Sequence, residues 1–83
     1  SAAAHHDTAA MSRLAKLYDP VGFDTHGPIP EPDIRESARY YRDAVDGGNT
    51  AAQAGREQLH TYLQQRADSN DTDAQLALKD FWK

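Results

Sequence analysis

At 83 residues, with a formal net charge of −4 and no cysteine, the chain has room for one small domain and no disulfide or thiolate-metal framework to hold it together. Its acids are spread along the sequence and no basic block stands out, which argues against a nucleic-acid footprint or an anionic membrane surface; no apolar run approaches the roughly 18 residues of a membrane-spanning helix, so no direct membrane insertion is expected. Hydrophobic residues make up 39% of the chain and alanine supplies much of that, which favours a core built from closely approaching helices with few large side chains.

The opening SAAAHHDTAAM lacks an initiator methionine and a charged-then-apolar signal pattern, and Ser1 to Ala4 read as the edge of an excised segment. His5 and His6 are adjacent, so on a helix they point about 100° apart and do not converge on one metal ion. Asp7-Thr8-Ala9-Ala10-Met11 recurs as Asn49-Thr50-Ala51-Ala52-Gln53 and again as Asp71-Thr72-Asp73-Ala74-Gln75. A short Asp or Asn side chain accepts from the free backbone N–H groups of a first helical turn, so each copy predicts a helix start.

The first helix is predicted over 7–18, with Ala10, Leu14, Leu17 and Tyr18 on one face. The stretch 19–32 holds all four prolines and, with Asp33 just beyond it, three turn-prone aspartates, and reads as a long loop. Asp33 predicts a second N-cap. From it Ile34, Ser37, Ala38, Tyr41, Ala44 and Val45 trace an amphipathic helix over 33–46, stopped by Gly47-Gly48, with Gly48 expected at positive φ. A third helix over 50–67 carries Ala52, Leu59, Tyr62 and Leu63 on its apolar face, and a fourth over 72–82 carries Ala74, Leu78 and Phe81.

The order of helix, Gly/Pro loop, helix bearing ARYYRDA, Gly-Asn corner and alanine-rich helix resembles the Sel-one-like repeats, relatives of the tetratricopeptide repeats. In that family the first helix reads A-x-x-x-L-A/G-x-x-Y, matched here by Ala10, Leu14, Ala15 and Tyr18. Gly27, Ile29 and Asp33 match the connecting loop; Tyr40, Tyr41, Arg42, Ala44, Gly48 and Asn49 match the second helix and its corner. The loop is longer and richer in proline than the family's, and Tyr40 stands where tryptophan is common. Arg56, Glu57 and His60 replace small and aromatic residues, so 49–83 reads as a degenerate terminal unit after one recognisable repeat over 7–48. The resemblance implies an all-α fold of about four helices in αα-hairpins, a fragment of a right-handed solenoid forming a single domain. It also implies a non-catalytic scaffold or adaptor module of a larger bacterial protein, which binds another protein or peptide or neighbouring repeats. The alternatives are a purely structural cap ending a repeat array and, behind that, a small enzyme or metal-binding domain. No cofactor is implied, and the compartment stays open between cytoplasm and periplasm, the periplasm being favoured for the parent protein.

Adjacent tyrosines cannot share a helix face, so Tyr41 is expected in the hairpin joint, together with Ala44, and Tyr40 at its border. Leu14, Leu17, Tyr18, Gly48, Leu59 and Leu63 complete the expected structural set. Arg39 and Arg42 are close enough in sequence to Glu36 and Asp43 to form ion pairs, though two guanidinium groups at this spacing also suit an anion. Arg39, Tyr40, the loop residues Phe23 and Ile29, and Trp82 are the candidates for contact with a partner. His26 and His60 stand in no recognised acid/base or metal motif, there is no glycine-rich phosphate loop, and no nucleophile sits in a strand-turn-helix setting, so catalysis is not expected.

Overall fold

The computed structural model describes residues 7–82, which leaves His5, His6 and the leading serine and alanines outside the described residues. Four helices follow in order: α1 over Thr8–Tyr18, α2 over Ile34–Asp46, α3 over Ala52–Asp68 and α4 over Thr72–Phe81, with no strand among the described residues. α1 packs against α2 and α3 against α4, while α2 also touches both α3 and α4.

Local chemistry accounts for the ends. Asp7 accepts from the Ala10 N–H at 3.0 Å, Asp33 from Arg35 and Glu36, and Asp71 from Asp73 and Ala74. The Ala74 N–H, followed by the Arg66 guanidinium, holds the Asp71 carboxyl below the usual carboxylate range. α3 begins two residues later than Asn49-Thr50 suggests. Asn49 still caps, its Oδ1 accepting from Ala52, but Thr50 and Ala51 form a tight turn with i to i+3 bonds before the α-helix starts.

α2 ends in a Schellman motif: Gly48 lies at φ 97°, its N–H donates to the Val45 carbonyl, and the Asn49 N–H donates to that of Ala44. α3 ends the same way with Asn70 at φ 68°, the Asn70 N–H on Ala67 and the Asp71 N–H on Arg66. Asparagine substitutes for glycine there because its short polar side chain tolerates the left-handed region. The proline-rich segment is an ordered connection whose last residue, Asp33, donates its N–H to the Tyr18 carbonyl at 2.9 Å and so closes the loop onto the end of α1.

Alanine dominates the fully buried set, in which Tyr41, Leu59 and Leu63 are the large members. The predicted inner faces of α2 and α3 are the observed ones, with Ser37, Ala38, Tyr41 and Ala44 buried on α2 and Ala52, Leu59 and Leu63 on α3. α1 differs. Its buried residues are Ser12 and Ala15 with Met11 alongside, whereas Leu14 and Tyr18 are half-buried and Leu17 is 38% exposed. The reason is distance: Ser37 donates its hydroxyl to the Ala15 carbonyl at 2.8 Å, so the helices meet where only a methyl group and a hydroxyl fit between them.

Candidate interaction surface

The two tyrosines of RYYR divide as the helix geometry requires. Tyr41 is 1% exposed and donates its hydroxyl to Oδ2 of Asp19 at 2.7 Å, while Oδ1 of the same carboxylate accepts from the Val21 N–H at 2.8 Å. Burial raises the Asp19 pKa against the lowering effect of these two bonds, and burial followed by the Asp19 carboxylate pushes the Tyr41 phenol well up. The ring is sealed from the other side by α3. A Cβ on Gly55 would lie 2.6 Å from Tyr41 Cε1, and the pinned ring cannot swing away, so this helix-interior position requires glycine. Tyr41 thus sits in the joint, between the carboxylate that ends α1 and the backbone of α3.

Tyr40, half-buried, turns to the outer flank of the α1/α2 pair, away from α3 and α4. Its ring stacks on Tyr18 at 6.2 Å between centroids, and the Arg39 guanidinium lies over the same ring, 4.5 Å from its centroid. Arg39 also bonds Glu36 at 2.9 Å, and this carboxylate raises the already high guanidinium pKa. Leu14, Leu17 and Tyr18 occupy i, i+3 and i+4 on α1, so together with Tyr40 they form one apolar stripe along this flank. Arg13, one turn before Leu17, is exposed and forms no ion pair among the described residues, whereas Lys16 lies on the α3 side of α1, in a pocket it lines with Tyr41, Gly55 and Gln58.

Trp82 belongs to a different part of the molecule. It stacks on His60 at 5.1 Å between centroids with the Arg56 guanidinium over its ring, and Arg35 and Arg42 lie over the neighbouring Phe81. Arg56 donates to the Phe81 carbonyl at 2.7 Å, satisfying one of the free acceptors at the C-terminus of α4, and Arg35 pairs with Asp80. Arg42 is two residues beyond Tyr40, about 200° round the helix, so the aromatic groups of α4 and the Tyr40 stripe lie on opposite sides of α2. Phe23 and Ile29 are half-buried within the loop, and His26 is exposed, its ring within 3.4 Å of the Thr25 hydroxyl. The structure thus brings Arg39 and Tyr40 together and sets Trp82 apart from them.

A cleft of about 430 Å³ runs between the loop ends and the α3–α4 turn, floored by Pro20, Pro32 and Tyr62. Of its five charged groups, Asp33, Asp71, Arg35 and Arg66 are occupied in helix capping and ion pairs, and Asp73 lies in the first turn of α4. No group of three or more metal-ligating side chains occurs among the described residues, and no helix is long and apolar enough to cross a membrane. Sequence reading did not anticipate the exposure of Leu17 and missed Gly55 altogether; the signal for Gly55 was a glycine inside an otherwise uninterrupted helical pattern. No protein-family model, curated protein or solved structure matches the chain.

Proposed function

We propose that this chain is a non-catalytic interaction module of the scaffold or adaptor type, built from two αα-hairpins stacked in the manner of Sel-one-like repeats. The observation that carries the reading is the packing of α1, which buries Ser12 and Ala15 and leaves Leu17 exposed, with Leu14 and Tyr18 half-buried and Tyr18 stacked on Tyr40. Exposed leucine beside stacked aromatics, rimmed by charge, is the composition of a recognition surface. The recurring Asp/Asn-Thr helix starts and the Gly48-Asn49 corner support the repeat arrangement, and the family resemblance in turn implies a parent protein of bacterial origin.

The second reading, a cap that ends a repeat array, draws on the far side of the molecule. There Arg35, Arg42 and Arg56 cover Phe81 and Trp82, giving α3 and α4 a charged exterior over their apolar contact. The two readings are compatible when the α1/α2 flank binds and the α3/α4 pair terminates.

Peptide display against the folded chain tests the interaction role. Selected peptides are expected to bind the parent chain at least roughly tenfold more tightly than a Leu17→Glu variant of unchanged helical circular dichroism. A selection that enriches nothing, or only peptides indifferent to Leu17→Glu, Tyr40→Ala and Trp82→Ala alike, would overturn the proposal.

A further inference from the structure

The cavity on the α3 side of α1 holds two opposite charges that do not meet. It measures about 410 Å³ and is walled by the last turn of α1, the start of the proline-rich loop and the first half of α3. Lys16 and Asp19 are its two charged lining residues. Neither takes part in an ion pair among the described residues, with the other or with any third group, although both belong to the end of α1.

Asp19 forms the negative pole. It lines the cavity while only 4% exposed, so its carboxylate has given up most of its water without gaining a cation. Oδ2 accepts from the Tyr41 hydroxyl and Oδ1 from the Val21 N–H, which fixes the group and leaves further lone pairs on both oxygens. Burial raises its pKa against those two bonds, as expected where no positive charge lies close by. An ammonium group set against Asp19 would supply that charge, and the negative end of α1 favours it there as well.

Lys16 forms the positive pole, exposed and with three N–H donors on its ammonium, and Gln58 adds an amide from α3. Between the poles the walls are small or apolar. Val21 and Ala54 contribute short aliphatic surfaces, and Gly22 and Gly55 contribute no side chain. A Cβ on Gly22 would meet nothing within 4 Å, so the loop side is open, whereas one on Gly55 would run into Tyr41, so the α3 side stays bare.

We propose that this cavity binds a free α-amino acid as its zwitterion, the ligand's ammonium on Asp19 and its carboxylate on Lys16 and Gln58, with a small aliphatic side chain against Val21 and Ala54. A ligand of single charge satisfies one pole and leaves the other; a dipolar one satisfies both, and a few convergent polar groups in a cavity of this size suit a small molecule. The role is additional to the recognition surface proposed above, and its failure leaves that reading untouched.

Leucine is the probe, with isoamylamine and isocaproate as the same skeleton carrying the cation alone or the anion alone. Each is titrated into the whole chain and followed by amide NMR shifts. Leucine is expected to give saturable shifts at Val21, Gly22, Gly55 and Gln58, and each singly charged probe to bind at least about fivefold more weakly. Lys16→Gln removes the positive pole and Ala54→Leu fills the cavity, both from exposed positions, so helical circular dichroism should be unchanged while leucine affinity falls by about fivefold or more.

The absence of a saturable shift with leucine overturns the site. Equal binding by isoamylamine or by isocaproate overturns the zwitterion assignment in favour of a plain cation or a plain anion. Shifts that leave the cavity amides unmoved overturn the location, and a leucine affinity indifferent to both Lys16→Gln and Ala54→Leu overturns the assigned poles and walls.

Discussion

Neighbouring tyrosines on one helix carry opposite duties here, and their substitution separates them. Tyr41→Ala removes a ring that is 1% exposed, with a cost of about 3 kcal/mol or more. Tyr40→Ala, at the half-buried flank, should cost distinctly less; thermal melts of the two variants check the ordering, and equal losses would place both rings in the same environment. The Asp19 carboxylate that receives the Tyr41 hydroxyl has its own signature in pH. Its pKa is raised chiefly by burial, so the folded state accommodates the neutral acid best. That contribution is complete below the unfolded value of about 3.9 and is lost as pH rises through the higher folded value. The stability of the parent chain relative to Asp19→Asn should therefore decline over that rise, and a difference that stays flat in chemical denaturation at several pH values would mean that the carboxyl is well hydrated.

At the scale of the elements, two glycines do different work. Gly48 supplies the positive φ of the Schellman motif, with open space around the position its Cβ would take, so Gly48→Val should cost on the order of 1–2 kcal/mol through backbone strain alone. Gly55 is helical and lies at an ordinary φ; its role is to let α3 approach Tyr41. Gly55→Ala ought to improve helix propensity by about 1 kcal/mol, yet overpacking of the pinned ring costs about 1–3 kcal/mol, so the net change is expected to be destabilising. A double-mutant cycle with Tyr41→Ala identifies the cause: the penalty at Gly55 should vanish, or become a gain, once the ring is gone. The same cycle with Gly48→Val should be additive.

For the molecule as a whole, the closing helix is held by arginines against its aromatic end. Arg56 reaches from α3 to the Phe81 carbonyl and spans the Trp82 ring, which His60 also stacks against. Trp82 is the chain's one tryptophan, so its emission reports directly on this contact. Arg56→Ala should shift that emission to the red as water reaches the ring, and should lower the melting temperature together with the helical circular dichroism signal. An unchanged spectrum would show that α4 is held without Arg56, by its buried Ala74 and Ala77 and the Arg35–Asp80 pair.

The number of helices and most of their ends were determined by the sequence alone, because caps and stops are local. Asp7, Asp33 and Asp71 each need only the next few backbone N–H groups, and Gly48 needs only its own φ. The division between Tyr40 and Tyr41 was legible for the same reason, since a rotation of about 100° per residue separates neighbours on any helix. What the tertiary structure decided is which of α1's two apolar faces turns inward. Periodicity favours the face with the bulkier residues, Leu14, Leu17 and Tyr18, whereas the short approach of α2, tied by the bond from Ser37 to Ala15, admits only the small one. The surface stripe beside Tyr40 follows from that choice, as does the need for glycine at position 55, because both depend on how far apart two helices settle, a distance that no local stretch of sequence encodes.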